Sequence, residues 1–168
     1  EITTVGKSIF SSPIFIVRTD PRVETNIQEC SWRGYVEINS GLIKECTFNK
    51  KHSTTSLLVS VKTSARIHED PCSLCCARYY VTFNGHECSP VPIDQAITLN
   101  DSKDNWDWIP FTIRGICKLN HYSGNIKVGL NVGQCGSKAS VDPDTGNGDF
   151  VTSSIIIEEV ENVKLYIL

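Results

Sequence analysis

Methionine is absent from the 168 residues, and no sign of charge dominates, with 21% charged residues and a formal net charge of -3. That balance gives no electrostatic reason to expect nucleic acid or an anionic membrane as a partner. No apolar run approaches the roughly 20 residues needed to cross a bilayer. Runs such as Ile14 to Val17 and Ile155 to Ile157 are strand-sized, so membrane insertion is not expected. Helical periodicity is missing too, and helix should be scarce. There is no Gly-X-Y tract, no internal repeat and no low-complexity linker. Starting at Glu1 with neither an initiating Met nor a leader pattern, the chain is expected to be a mature or trimmed product.

Catalytic signatures are also lacking. No Gly-x-Ser-x-Gly elbow and no His-Glu-x-x-His helix occurs, and His52, His68, His86 and His121 are scattered. Glu158 and Glu159 are adjacent on an apolar strand and so point to opposite faces, whereas a catalytic carboxylate pair must converge on one bond. No enzyme is expected, and no obligatory cofactor.

What is present is cysteine. There are eight: Cys30, Cys46, Cys72, Cys75, Cys76, Cys88, Cys117 and Cys135. An even number scattered along the chain fits disulfides made in an oxidising compartment, hence a secreted, extracellular protein. A zinc half-site from Cys72 and Cys75, completed by Cys76 or His86, is the competing reading. Adjacent Cys75 and Cys76 point to opposite faces of a strand, which favours two different partners over a vicinal bridge. A two-residue turn at Asn84-Gly85 would set Cys88 opposite Val81, making the bridges non-local. Spacing alone leaves their pairing open.

Wherever a pattern is legible it has period two. Leu57, Val59 and Val61 share a face, as do Ile109, Phe111 and Ile113, then Ile126, Val128, Leu130 and Val132, then Val163, Leu165 and Ile167. Turn signals punctuate these runs at Asn39-Ser40-Gly41, Asn84-Gly85, Ser123-Gly124-Asn125 and Asp142 to Gly148. Many short strands with regular turns predict an all-β, disulfide-stabilised sandwich, barrel or jelly roll. A single globular domain is expected over residues 26–168, with residues 1–25 as an added strand or arm.

The stretch Cys75-Cys76-Ala-Arg-Tyr-Tyr-Val-Thr-Phe-Asn-Gly-His-Glu-Cys88, with Cys30-Ser31-Trp32, Glu45-Cys46-Thr47-Phe48-Asn49-Lys50, Gly115-Ile116-Cys117, Val132-Gly133-Gln134-Cys135, Asp142-Pro143-Asp144-Thr145-Gly146 and Ile155-Ile156-Ile157-Glu158-Glu159, carries a resemblance. In this order the segments resemble the C-terminal globular domain of the collagen triple helix repeat-containing protein family, from about Asn26 to Val160. Three departures stand out: a Cys72–Cys75 gap one residue shorter than the family's, a poor match from Asn100 to Ile113, and a longer loop after Gly146. The resemblance implies a secreted matrix or signalling glycoprotein whose domain associates as a homotrimer behind a collagenous stalk. It also implies partners of matrix or Wnt/Frizzled-receptor type. More weakly, the segment order is similar to the jelly roll of complement-type and tumour-necrosis-factor-like trimers.

Four further features are candidate sites. Asp142, Asp144, Asn147 and Asp149 offer calcium-type oxygen ligands at close spacing, but without the EF-hand pattern, and a plain surface turn selects the same residues. Asn100-Asp101-Ser102 is the one N-glycosylation sequon. Trp106 and Trp108 suit an aromatic platform for a sugar or a protein hot spot, or else strand packing. Tyr79, Tyr80, Phe83, Ile155 and Ile157 are candidates for a face buried between subunits, although a core would use the same residue types. The expected function is therefore a secreted, non-catalytic trimerisation and protein-interaction domain. The alternative is a monomeric lectin-like or receptor-binding module, with calcium as an optional ligand.

Overall fold

A computed structural model describes residues 25–68, 75–99, 108–136, 142–146 and 151–162. Eleven strands follow in chain order: β1 (Ile27–Trp32), β2 (Val36–Glu37), β3 (Gly41–Lys50), β4 (Ser56–His68), β5 (Cys75–Phe83), β6 (His86–Glu87), β7 (Asp94–Leu99), β8 (Ile109–Lys118), β9 (Gly124–Gln134), β10 (Asp142–Thr145) and β11 (Ser153–Val160). Among the described residues there is no helix. The period-two runs are the reason: alternate apolar side chains can all reach one core only from pleated backbone.

All pairings are antiparallel. One sheet runs β1-β11-β4, with β8 along the other edge of β4, and with β10 and β2 continuing beyond the end of β11. The second runs β3-β9-β5, flanked by β6 and β7. Setting aside the short β2, β6 and β10, eight strands remain, in the orders β1-β11-β4-β8 and β3-β9-β5-β7. The last strand lies between the first and third of the eight, which is the double Greek key of a jelly roll.

Inward positions of both sheets form one core. Leu57, Val59, Val61, Tyr79, Val81, Val128, Leu130, Val132 and Ile157 are 0% exposed, and each such side chain contributes about 1.5–3 kcal/mol. The Tyr79 and Phe111 rings meet across the layers at 4.8 Å between centroids. Gly115, on the inward face of β8, makes room for Ile93: a Cβ there would lie 2.8 Å from Ile93 Cγ1. Asn84 and Gly85, with φ of 50° and 82°, form the two-residue turn between β5 and β6. Positive φ at both positions matches the twist of the flanking strands.

Three bridges have both ends among the described residues. Cys30–Cys46 and Cys88–Cys117 link one sheet to the other, while Cys76–Cys135 ties β5 to the residue following β9. Their sequence separations are 16, 29 and 59, so the bridging is non-local. Cys75 is disulfide-bonded as well, and among the described residues no cysteine is a free thiol. Cys75 is buried while Cys76 is half-buried on the opposite face of β5, as strand parity requires. Cys72, residues 1–24 of the expected N-terminal arm, and the Val163–Ile167 run lie outside the described residues.

Candidate interaction surface

Parity decides which expected contact residues can meet another molecule. Tyr79 (0%), Phe83 (5%), Ile155 (1%) and Ile157 (0%) point between the sheets and are consumed by the core. The reading of these four as an intersubunit face is corrected: their inward position buries them in the chain's own fold. Tyr80 lies on the outer face of the second sheet, half-buried, with the Arg78 guanidinium 4.8 Å from its ring centre. Trp108 is half-buried at the start of β8, with Arg66 4.9 Å from its ring centre. Trp106, Asn100, Asn147 and Asp149 lie outside the described residues.

Of the four candidate calcium ligands, only Asp144 has a described side chain. It is 6% exposed and accepts hydrogen bonds from Arg66 Nε, at 3.0 Å, and from Arg66 Nη2. The carboxylate is thereby occupied by a cation from β4. No group of three metal-binding side chains assembles among the described residues.

Two polar clusters escaped the sequence reading. On the outer face of the second sheet, Arg78 donates Nη1 to Glu87 at 3.0 Å and Nε to Asp94 at 2.6 Å. The hydrogen bond to Glu87, then that to Asp94, hold the guanidinium firmly protonated against partial burial. Arg78, Tyr80 and Thr82 alternate on one face, and the Asn84-Gly85 turn sets Glu87 opposite Thr82. The strand period and the turn were therefore the available signal.

The other cluster closes one end of the sandwich. Glu159 accepts from Asn26 Nδ2 (2.6 Å), the Lys51 amide (2.8 Å), the His52 amide (2.8 Å) and Thr55 Oγ1 (2.5 Å). Burial pushes this carboxyl up, but the hydrogen bonds outweigh it and bring it from 4.5 to about 2. Beside it Lys50, 1% exposed, donates Nζ to the Tyr122 carbonyl at 3.1 Å and to the His52 carbonyl. Burial lowers the Lys50 pKa, opposed by the charge of Glu159. A depressed carboxyl stabilises the fold above its unfolded pKa, and that contribution is lost as pH falls through the folded value. Urea unfolding should therefore show stability draining away between pH 4.5 and about 2. Glu159→Gln should flatten that window and cost roughly 2 kcal/mol at neutral pH.

The outer face of the first sheet differs from an ordinary solvated face. Register places Ile27, Glu158, Leu58 and Ile116 in one cross-strand row, and Glu29, Ile156, Ser60 and Arg114 in the next. Residues in register share a face. Ile27 is 56% exposed, and Leu58, Ile116 and Ile156 are half-buried. Leu58, Ser60, Arg114, Ile156 and Glu158 line a shallow depression of about 230 Å³. Four aliphatic side chains thus occupy positions that an antiparallel sheet facing water gives to polar residues. Charge is divided across the patch: Glu29 on β1 and Glu158 on β11, Arg114 on the β8 edge.

Among the described residues no helix is long and apolar enough to cross a membrane, which says nothing of a β-barrel, whose strands cross instead. The chain is similar over 90% of its length to the solved structure of the infectious bursal disease virus VP2 subviral particle, at 11% identity and a TM-score of 0.39, and it spans 38% of that chain. A family model described as "CTHRC1, C-terminal domain" matches residues 22–157. With more than half of its residues matched, the chain belongs to the CTHRC1 C-terminal domain family.

Proposed function

We propose that this domain joins three copies of its chain in a secreted, collagen-associated protein and presents a rigid surface to extracellular partners of matrix or Wnt/Frizzled type. The reading is non-catalytic. The observation that carries it is the aliphatic outer face of the first sheet, built by Ile27, Leu58, Ile116 and Ile156. One of the four, Ile27, is exposed and the other three are half-buried, and aliphatic side chains gathered on an outer face among polar residues favour an interaction site. The division of charge favours a head-to-tail contact, in which the Arg114 edge of one copy meets the Glu29/Glu158 edge of the next. Heterologous contacts of this kind close into a ring of three when the rotation between neighbouring copies is a third of a turn. Disulfide bonding supports secretion, and the family supports the link to a collagen-repeat protein. In such a parent, joining three chain ends would raise their effective concentration for triple-helix growth.

The expected result is that Ile156→Asp and Ile27→Asp each weaken association by roughly thirtyfold, equivalent to about 2 kcal/mol. Light scattering should then report one chain mass where the unaltered domain gives three, with circular dichroism unchanged. An unaltered mass in both variants would contradict the reading.

A further inference from the structure

A second depression opens on the same outer face, toward the other end of β4 and β8. It has a volume of about 430 Å³ and is lined by Lys62, Thr63, Ser64, Trp108, Pro110, Phe111, Thr112 and Val151. That volume falls in the range of small-ligand pockets, ~300–1,000 Å³. In register terms it occupies the two rows beyond the aliphatic patch, Ser31-Ser154-Lys62-Thr112 and the Ser64-Pro110 pair. It shares no residue with that patch, so the inference does not depend on three-fold association.

The chemistry of the lining is two-sided. Trp108, Pro110 and Val151 supply apolar surface, with Val151 38% exposed. Thr63, Ser64 and Thr112 supply hydroxyls, and Lys62 supplies a cation. Lys62 is exposed and forms no ion pair among the described residues. Arg66, by contrast, is committed to Asp144 while its guanidinium lies 4.9 Å from the Trp108 ring centre. Ser64 is 4% exposed, and its Oγ is buried without a hydrogen-bond partner. An unpartnered buried hydroxyl is unfavourable, and a ligand that reached it would compensate. Thr63 Oγ1, in contrast, is already paired with Ser153 Oγ at 2.9 Å.

A ligand matching this lining has a flat C–H face for the indole, hydroxyls for Ser64 and Thr112, and a negative charge for Lys62. The geometry points to an anionic pyranose, a uronate or a sulfated sugar, as the occupant. The Trp108 indole gives amphipathic contact area at low entropic cost, and Lys62 selects the charged sugar over its neutral counterpart.

Saturation-transfer NMR on the intact domain, with glucuronate, glucose 6-sulfate and glucose as probes, tests this assignment. Glucuronate or glucose 6-sulfate should bind about fivefold more tightly than glucose, the scale of one exposed ion pair. Which of the two wins tells carboxylate from sulfate. Lys62→Gln, at an exposed position, should bring the anionic probes down to the level of glucose. Trp108→Ala should abolish transfer from all three. No transfer to any probe, or an unchanged preference in Lys62→Gln, would overturn the assignment.

Discussion

Replacing Cys88 and Cys117 together by Ala is expected to cost about 3–4 kcal/mol and to lower the melting temperature by roughly 10 °C. The bridge links the end of the β5–β6 hairpin in one sheet to β8 in the other, across a separation of 29 residues. Cutting it frees the unfolded chain while leaving both sheets their hydrogen bonds, so the loss falls mainly on the relation between the layers. Both sulfurs come from buried residues, 5% and 2% exposed, and Ala adds no unsatisfied polar group. Cys76–Cys135 encloses this bridge in sequence. While the inner bridge is intact, the outer one closes a shortened loop, so Cys76→Ala with Cys135→Ala should cost a similar amount despite a separation of 59. Chemical unfolding of the two double variants beside the parent checks both values. A loss below about 1 kcal/mol in either would show that the bridge does not constrain the unfolded chain as argued.

The second large effect concerns charge across the proposed contact. Arg114→Glu should set like charges face to face between neighbouring copies and reduce association at least tenfold, since such juxtaposition costs several kcal/mol. Glu158→Arg should do the same from the other side. The double variant, with both changes in one chain, restores opposite charges between these two positions at each contact of a head-to-tail ring, beside an unaltered Glu29, and should recover part of the association. That recovery, with circular dichroism unchanged in both single variants, assigns the loss to the contact rather than to the fold, because neither side chain belongs to the core. The contact should also weaken in salt, by screening of exposed charges.

The scaffold was largely legible in the sequence because one physical signal, alternation, dominates it. Leu57, Val59 and Val61 share a face in the structure as they do in the pattern, and Asn84-Gly85 makes the turn its residue types demand. Opposite pointing of Cys75 and Cys76 followed from the same period. Disulfide pairing was not legible, since Cys88–Cys117 depends on how two sheets stack and no local rule encodes that. The inward position of several expected contact residues was not legible for a related reason. In the run Ile155 to Ile157, apolarity alone does not distinguish the two inward residues from the outward Ile156. Only the register with β4, Ile155 opposite Val61 and Ile156 opposite Ser60, assigns the faces. Asp144 shows the same limit, because an acidic residue in a turn-rich segment looks like a free ligand until Arg66 is brought to it from β4.

A three-membered ring formed through the outer face that carries Ile27, Leu58, Ile116 and Ile156 is the centre of the proposal. Sedimentation equilibrium of the unaltered domain at micromolar concentration tests it most directly. The prediction is a single species of three chain masses. A species of one chain mass across that range would contradict it.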